Sequence, residues 1–367
     1  MISFLISTWR YLTRHVDNFL LGSIFLLMLT GLVTLYSATD GNLDRLTGQA
    51  INMLTALSFM WLVANVPLRD ILRLAVPIYV VGLILLIGVA LFGEINNGAR
   101  RWLNIGITHI QPSELMKIGV PLMLAWYFDR RAATLGTLDY VIATVLLLVP
   151  ALLIMRQPDL GTALLIISSG FYILFLGGLS WRIMTGLLVS IAGSLPILWS
   201  MMHDYQRQRI ATLFDPTQDP LGSGYHIIQS TIAIGSGGLI GKGWQQGTQT
   251  HLDFLPEKST DFIFAVFSEE FGLIGNITLL FLYALVIGRS IVIAADASTQ
   301  FTRLISGSIT LTFCTYIFVN IGMVTGILPV VGVPLPLISY GGTSMVTILL
   351  GFGILMSIRT HATLVKA

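Results

Sequence analysis

Apolar and polar positions fall into long blocks along the chain, and the blocks predict a bundle of membrane-spanning helices. A helix crosses a bilayer with about 20 residues at a rise of about 1.5 Å each. Ten apolar stretches fit this use, at roughly residues 19–36, 50–66, 74–92, 112–127, 140–155, 160–176, 183–201, 261–286, 304–324 and 344–358. The pattern predicts an all-α polytopic membrane protein with ten transmembrane helices, in a single domain over residues 1–367.

Composition supports this class and excludes others. The chain is 54% hydrophobic and only 10% charged, whereas a soluble domain carries about a quarter charged residues. The net charge is +2 and no basic run occurs, so nucleic acid is not an expected partner. The single cysteine, Cys314, excludes an intramolecular disulfide. Residues 1–19 are interpreted as an amphipathic lead-in at the membrane surface, not a cleaved signal.

The distribution of positive charge predicts the orientation. Ten crossings place both termini on one side, and the Arg and Lys residues closest to the helix ends favour the cytoplasmic side for them. The cytoplasmic loops are then short, and the extracytoplasmic loops are long and rich in Gly and Pro. The largest, residues 202–260, joins helices seven and eight. Because long loops with specific chemistry are usually functional, the outer face is the expected place of the chemistry.

Asp261 stands where this large loop meets the eighth apolar stretch. Ser259 or Thr260 can cap the first turn of the helix, which places Asp261 at the positive end of the helix dipole. Two interpretations remain open: Asp261 only supports the helix N-terminus, or it is an ionised carboxylate at the mouth of an intramembrane cavity. Glu269 and Glu270 lie two turns deeper, where carboxylates usually face a polar cavity or a partner.

A second group of polar residues surrounds the start of the fourth apolar stretch. Arg100 and Arg101 offer guanidinium groups suited to a phosphate. Trp102 either belongs to that site or anchors the chain at the interface. Glu114 and Lys117 are three residues apart, share a helix face and can pair. The pair is either structural or functional.

Further cations lie on the outer face. In the turn before residue 160, Asp159 is interpreted as a helix cap, while Arg156 either snorkels or binds substrate. The large loop adds Arg207, Arg209, Lys242 and Lys258. Its glycine-rich run, residues 235–243, can bring backbone N–H groups to an anion. It is not a P-loop, because Gly243 follows Lys242 where Ser or Thr is needed.

Two other segments of the outer face have a predicted structure. Residues 225–234 form an amphipathic stretch that suits a helix in the plane of the interface. Residues 326–344 contain too much Pro and Gly for a regular helix. Non-helical backbone at membrane depth must be buried or line a polar cavity, so this segment is expected to wall the same cavity as Asp261. The histidines show neither HxxxH nor HExxH spacing, and no metal cluster is apparent.

One carboxylate at a helix mouth, several cations and a cavity suit a lipid-linked pyrophosphate substrate. The cations hold the pyrophosphate while a base takes a proton from an attacking hydroxyl. One base suffices for an inverting transfer, because pyrophosphate leaves without a proton and the second carboxylate of a glycosidase is unnecessary.

Long ordered motifs resemble those of a known family. They include GARRWLNIG, QPSELMK, RQPDLGTA, IAIGSGGLIGKGW, FLPEKSTDFIFAV and GILPVVGVPLPLISYGGTS, and the resemblance runs from about residue 17 to 359. The chain resembles the SEDS proteins of cell shape, division and sporulation, and is most similar to the elongation members. The division members are the sister alternative.

The resemblance implies a ten-helix peptidoglycan glycosyltransferase of the bacterial inner membrane. Such enzymes polymerise lipid II into glycan strands on the outer face, with inversion at the sugar and release of undecaprenyl pyrophosphate. Asp261 matches the essential outer-loop Asp and is assigned as general base for the acceptor 4-hydroxyl. Glu114 and Lys117 match the polar pair of the cavity, and Arg101, Trp102 and Ser339 match motif positions.

The resemblance also implies a divalent cation, Mg²⁺ or Mn²⁺, and a partner. The partner is a class B penicillin-binding protein, a transpeptidase, within the elongation complex. Two alternatives stay open, a lipid II flippase and a scaffold that only activates the transpeptidase. The role of Asp261 also stays open. A helix N-terminus lowers the pKa of a carboxyl group and desolvation raises it, so base, metal ligand and acceptor-orienting group are all compatible with the residues.

Overall fold

The computed structural model describes residues 16–96, 99–104, 109–201, 204–218, 223–252, 254–255 and 257–366. Most of the expected N-terminal lead-in, residues 1–15, lies outside them. The helices are α1 (Asn18–Ala38), α2 (Leu43–Ala64), α3 (Leu68–Phe92), α4 (Pro112–Arg131), α5 (Thr137–Met155), α6 (Leu160–Leu176), α7 (Trp181–Met201), α8 (Asp204–Phe214), α9 (Ser223–Ser236), α10 (Thr248–His251), α11 (Ile263–Ala295), α12 (Gln300–Val324) and α13 (Gly342–Lys366).

The apolar stretches coincide with helices, which confirms a polytopic membrane protein. Within the described residues, seven helices are long and apolar enough to cross a membrane: α1, α2, α3, α5, α11, α12 and α13. Helix α6 is apolar but has only 17 residues. The large loop also contains helices, and α9 confirms the helix expected at residues 225–234.

Helix α4 is polar at both ends and buried along most of its length. Pro112 stands at its start with Glu114 in the first turn, and Arg130 and Arg131 occupy the last turn, as the helix dipole favours. Its buried face packs against α3, α6 and α12. The protein therefore surrounds α4, and its first turn is brought into the interior of the bundle.

A small sheet interrupts the helical architecture between α3 and α4. Three antiparallel strands, β1 (Glu94–Asn96), β2 (Ala99–Asn104) and β3 (His109–Ile110), pair in the order β1-β2-β3. The residues between the third and fourth apolar stretches show no pattern that predicts strands. The hairpin places Arg100, Arg101 and Trp102 on consecutive positions of β2, at a shift in the register of its pairing with β1.

Residues 325–341 are non-helical, as their Pro and Gly content predicts. Its later part is buried, with Val333, Leu335 and Ile338 each at most 2% exposed, whereas Ile327 is 68% exposed. It lies so close to α1 that a Cβ atom on Gly31 would be 2.9 Å from the Cα atom of Ile338. Burial inside the bundle is the condition under which irregular backbone is tolerated in a membrane protein.

Helix α11 is broken at Gly272, whose φ of 63° and ψ of −161° are not helical. The glycine-rich run fills the break. Lys242 and Gly243 donate their backbone N–H groups to the carbonyl oxygens of Glu269 (3.0 Å) and Glu270 (3.0 Å). The approach requires glycine, because a Cβ atom on Gly241 would be 2.0 Å from the carbonyl oxygen of Glu270. These N–H groups therefore bind protein carbonyls, and the anion-binding interpretation is wrong for them.

Candidate functional site

Asp261 precedes α11 instead of beginning it. The helix starts at Ile263, and neither Ser259 nor Thr260 caps it, because no side chain bonds its first turn. The Ser259 hydroxyl accepts a hydrogen bond from Arg45 (3.1 Å), and the Thr260 hydroxyl donates to a carboxylate oxygen of Glu257 (2.8 Å). The expected cap is wrong, and Asp261 belongs to a separate turn before the helix.

Three successive backbone carbonyls in this turn are each bound by a different donor. Tyr340 donates its N–H to the carbonyl oxygen of Ser259 (2.9 Å). The Ser339 hydroxyl donates to that of Thr260 (2.6 Å). Nδ2 of Asn320 donates to that of Asp261 (2.8 Å). The turn is thus fixed against α12 and the segment 325–341, while the expected cavity shared by this segment and Asp261 stays a prediction.

The carboxylate of Asp261, unlike its backbone, has no hydrogen-bond donor among the residues that the structure describes. A Cβ atom on Gly332 would be only 3.3 Å from its Oδ2 atom, so the carboxylate faces the segment 325–341. Burial, and secondarily the negative charge of Glu257, raises the pKa of Asp261 from 3.8 to about 6. The group is therefore a better proton acceptor than an exposed Asp.

Asn320 is a residue that the sequence analysis missed. It lies inside an apolar stretch, and only the tertiary structure shows what its side chain binds. Its side chain is fully buried, and Nδ2 donates both to Asp261 and to the carbonyl oxygen of Val333 (2.7 Å). An amide side chain within a membrane-spanning stretch is the available sequence signal.

Glu114 and Lys117 form the predicted pair. Lys117 Nζ lies 2.6 Å from Glu114 Oε1, and the Thr347 hydroxyl donates to Glu114 Oε2 (2.9 Å). The ammonium group also lies 5.5 Å from the centre of the Tyr316 ring. Lys117, Tyr316 and Thr347 line a cavity of about 60 Å³ between α4, α12 and α13, which Asp261 does not line.

Helix α12 connects these two parts of the site. Tyr316 beside Lys117 and Asn320 beside Asp261 are four residues apart, so they lie on one face about 6 Å apart along the axis. The sequence analysis placed the Glu114–Lys117 pair and Asp261 in one cavity. The structure connects them through α12, and the cavity lies on the Lys117 side.

Arg101 is held by the turn between α5 and α6. Its guanidinium donates to the carbonyl oxygens of Gln157 (3.2 Å) and Pro158. Asp159 caps α6 by accepting from the N–H of Thr162 (3.2 Å), as expected. Arg101 keeps its charge without a carboxylate partner among the described residues, an arrangement that suits a nearby anion.

Arg100, Trp102 and Arg156 complete this side of the outer face. Arg100 and Arg156 are exposed, and Trp102 is half-buried. Neither arginine has an ion-pair partner in the described ranges. They can therefore contact a ligand from the solvent side without first losing an internal bond.

The cations of the large loop are placed differently. Arg207 donates to the carbonyl oxygens of Trp199 (2.9 Å) and Ser200 (2.8 Å) at the end of α7. Lys258 binds Asp40 Oδ2 (3.0 Å), and Lys242 binds Glu269 (2.7 Å). The side chain of Arg209 lies outside the described residues.

Glu269 and Glu270 serve the packing of the large loop. Glu269 accepts from the N–H groups of Gln249 (3.0 Å) and Thr250 (3.3 Å) at the start of α10, besides Lys242. Glu270 accepts from the Ser37 hydroxyl and from the N–H of Gln245 (3.2 Å). The expectation that these deep carboxylates face a partner is confirmed, and the partner is the protein itself.

No group of three or more His, Cys, Asp or Glu side chains converges as a metal site within the described part of the chain. Asp261 and Glu257 are the carboxylates on the turn before α11. Two carboxylates do not form a cage, but Mg²⁺ is commonly held by one or two carboxylates together with substrate phosphates. The two described carboxylates fit a cation that a phosphate-bearing ligand also holds.

Comparison with known proteins gives consistent results. Residues 16–364 match the family model of the cell cycle proteins FtsW, RodA and SpoVE. The peptidoglycan glycosyltransferase MrdB of Escherichia coli (strain K12) is 49% identical over 348 residues, which cover 95% of this chain and 94% of that protein.

Two solved structures share the fold. One belongs to a study of how a peptidoglycan synthase complex coordinates polymerization and crosslinking, with a TM-score of 0.82, 33% identity and coverage of 94% of this chain and 98% of that one. The other is the crystal structure of the rod shape determining protein RodA of Thermus thermophilus, with a TM-score of 0.71, 29% identity and coverage of 94% and 96%.

Proposed function

The chain belongs to the FtsW, RodA and SpoVE family, and from this premise we propose that it is the peptidoglycan glycosyltransferase of rod-shape elongation. Its substrate is lipid II, polymerised at the outer face of the bacterial inner membrane. The transfer inverts the sugar and releases undecaprenyl pyrophosphate. The resemblance to MrdB and to RodA supports the elongation role.

The observation that carries the chemistry is the carboxylate of Asp261, whose backbone is bound while its oxygens meet no donor among the described residues. We assign it as general base. It takes the proton of the acceptor 4-hydroxyl as that oxygen forms a bond to the anomeric carbon of the donor. The bond from that carbon to the diphosphate oxygen breaks, and the diphosphate leaves with the electron pair. No acid is needed, because the leaving group is already a stable anion.

The diphosphate is assigned to the arginines of the hairpin and of the turn between α5 and α6. Arg100, Arg101 and Arg156 hold it, and Trp102 packs beside it, because these arginines have no carboxylate partner among the described residues. Glu114 and Lys117 shape the inner end of the site. The remaining assignments to substrate binding are Arg207, Arg209, Lys242, Lys258 and Ser339. Of these, Lys242, Ser339, Arg207 and Lys258 would first have to exchange internal bonds.

The proposed topology has ten crossings with both termini in the cytoplasm. Helices α4, α6 and α7 add three crossings to the seven long apolar helices. Residues 202–260 then form the extracytoplasmic loop between the seventh and eighth crossings. The buried position of α4 supports its inclusion, because a helix surrounded by protein needs no apolar exterior.

We also propose a cation and a partner. A divalent cation, Mg²⁺ or Mn²⁺, accompanies the diphosphate and offsets its charge. The partner is a class B penicillin-binding protein of the elongation complex. The similarity to a subunit of a peptidoglycan synthase complex that couples polymerization to crosslinking supports this pairing.

The test is polymerisation of purified lipid II by the protein with its transpeptidase partner, comparing the parent with Asp261→Asn. A lost general base costs about 10²–10⁴-fold in rate, and we expect a loss in this range with partner binding retained. Asp44→Asn is the matched control, because Asp44 is an exposed carboxylate in the first turn of α2. Equal polymerisation by Asp261→Asn would remove the base assignment. Absence of polymer from the parent would remove the proposed function.

A further inference from the structure

A single buried amide binds the backbone of Asp261 and the backbone of the segment 325–341. We propose that Asn320 is a positioning residue for the glycosyl transfer, holding the Asp261 carboxylate at its working distance from the segment 325–341. The inference rests on the proposed function and deepens it. It assigns a role to a residue that touches neither the reacting atoms nor the solvent.

The bonds of the amide define what it holds. Nδ2 donates one hydrogen to the carbonyl oxygen of Asp261 (2.8 Å) and the other to that of Val333 (2.7 Å). Both partners only accept, so the orientation of the amide is determined. Oδ1 is buried and has no partner among the residues described. Asn320 is therefore a bridge between two backbone segments that lie 72 residues apart in the chain.

The bridge fixes the two sides of the carboxylate. One bond holds the peptide unit of Asp261 itself. The other holds Val333, whose neighbour Gly332 is the residue that faces Oδ2 of Asp261. Because no described donor binds the carboxylate, only its backbone and the wall opposite determine where it lies. The same amide group binds both of them.

The remaining bonds allow this role to be separated from folding. The carbonyl oxygens of Ser259 and Thr260 keep their donors, the Tyr340 N–H and the Ser339 hydroxyl, when Asn320 is replaced. The turn before α11 then stays attached to the segment 325–341 at two points. We expect Asn320 variants to fold, with the loss concentrated on the placement of Asp261.

A same-helix control is available. The Ser308 hydroxyl on α12 is fully buried and donates to the carbonyl oxygen of Ser169 on α6 (2.8 Å). Ser308→Ala thus removes a buried bond from the same helix to backbone, three turns away from Asn320. It measures what such a loss costs on the Lys117 side of the helix, where Ser308 lines the cavity of about 60 Å³ and makes no described bond to the Asp261 turn.

The experiment compares Asn320→Ala, Asn320→Asp and Ser308→Ala in lipid II polymerisation with the transpeptidase partner, from pH 5 to 9. A misplacement of about 1 Å costs about 100-fold in rate. We expect kcat to fall about 100-fold in both Asn320 variants at nearly unchanged KM, and by less than about 3-fold in Ser308→Ala. In Asn320→Ala the acidic limb of the pH profile should also move to lower pH, because a released Asp261 becomes better hydrated.

A kcat for folded Asn320→Ala equal to that of Ser308→Ala, with an unmoved acidic limb, would overturn the inference. So would a rise in KM that accounts for the whole loss. Asp261→Asn is measured in parallel. If Asp261→Asn is inactive while Asn320→Ala has normal activity, the base assignment stands and only the positioning role is removed. If Asp261→Asn is active, the base assignment itself is removed.

Discussion

Two carboxylates near the start of α11, those of Glu269 and Asp261, differ in their hydrogen bonding. The oxygens of Glu269 are saturated by Lys242, two backbone N–H groups and two threonine hydroxyls. Asp261, two turns earlier, has a bound backbone and a carboxylate without a described donor. Glu269 thus stabilises the fold, whereas Asp261 remains available to a substrate.

The difference follows from where the stabilising bonds fall. When donors meet a carboxylate, they hold its negative charge and lower its basicity. When they meet the adjacent carbonyls instead, the group is held in place while burial raises its pKa. The protein therefore positions Asp261 without neutralising it, which is the requirement for a base in a buried site.

The largest loss in the free energy of unfolding is expected from Lys242→Met. It leaves the fully buried Glu269 without its cation, and breaking such a pair costs about 3–5 kcal/mol. The backbone donors to Glu269 favour the lower end of this range. Thermal unfolding of the purified protein in detergent measures it. Arg73→Met, which breaks an exposed pair with Asp70, should cost less than about 1 kcal/mol. Equal losses would contradict the structural role of Glu269.

A smaller loss in the free energy of unfolding is expected from Gly241→Ala. The change separates the glycine-rich run from the break in α11. The added Cβ atom meets the carbonyl oxygen of Glu270, and φ is 81°. Left-handed backbone at a non-glycine residue costs about 1–3 kcal/mol, and the contact adds to it. Gly235→Ala is the control, because that position in α9 has open space and gains helix propensity. If the unfolding temperature rises for both Gly241→Ala and Gly235→Ala, the close approach of Gly241 to Glu270 is unimportant for stability.

The smallest effects concern the pH dependence of Asp261. Because the base must be ionised, activity should fall as the pH drops through about 6. Glu257→Gln should move this limb slightly to lower pH, because Glu257 is exposed and contributes less than burial. Rates over a pH series for the parent and Glu257→Gln measure both. A limb near pH 4 in the parent would show a hydrated, ordinary carboxylate.

The effect of the Asp261 carboxylate on the stability of the protein depends on pH in the opposite direction to its effect on activity. The pKa of Asp261 is higher in the folded protein than its ordinary value of 3.8, so the folded state binds the proton more tightly and loses stability as the pH rises through about 6. Asp261→Asn removes that loss. Its unfolding temperature should exceed that of the parent by more at pH 8 than at pH 5, and a difference independent of pH would exclude a buried carboxylate.

Much of this was predictable from local sequence. Apolar stretches predicted the helices because each crossing needs its own run of apolar residues. Pro and Gly predicted the irregular segment before α13, and ordered motifs predicted the family. The spacing of Glu114 and Lys117 predicted their pair, because residues three apart share a helix face. In each case the cause lies within a few residues or within a motif.

Only the tertiary structure decided which polar groups bind other groups of the protein and which have no described partner. Lys242 looked like a ligand for an anion and binds Glu269, while Asn320 looked like part of an apolar helix and holds Asp261. The pKa of Asp261 likewise depends on burial by segments distant in the chain. The physical reason is common to all three. A hydrogen bond or a desolvation depends on atoms within a few ångströms, and folding brings those atoms together from positions that no local pattern connects.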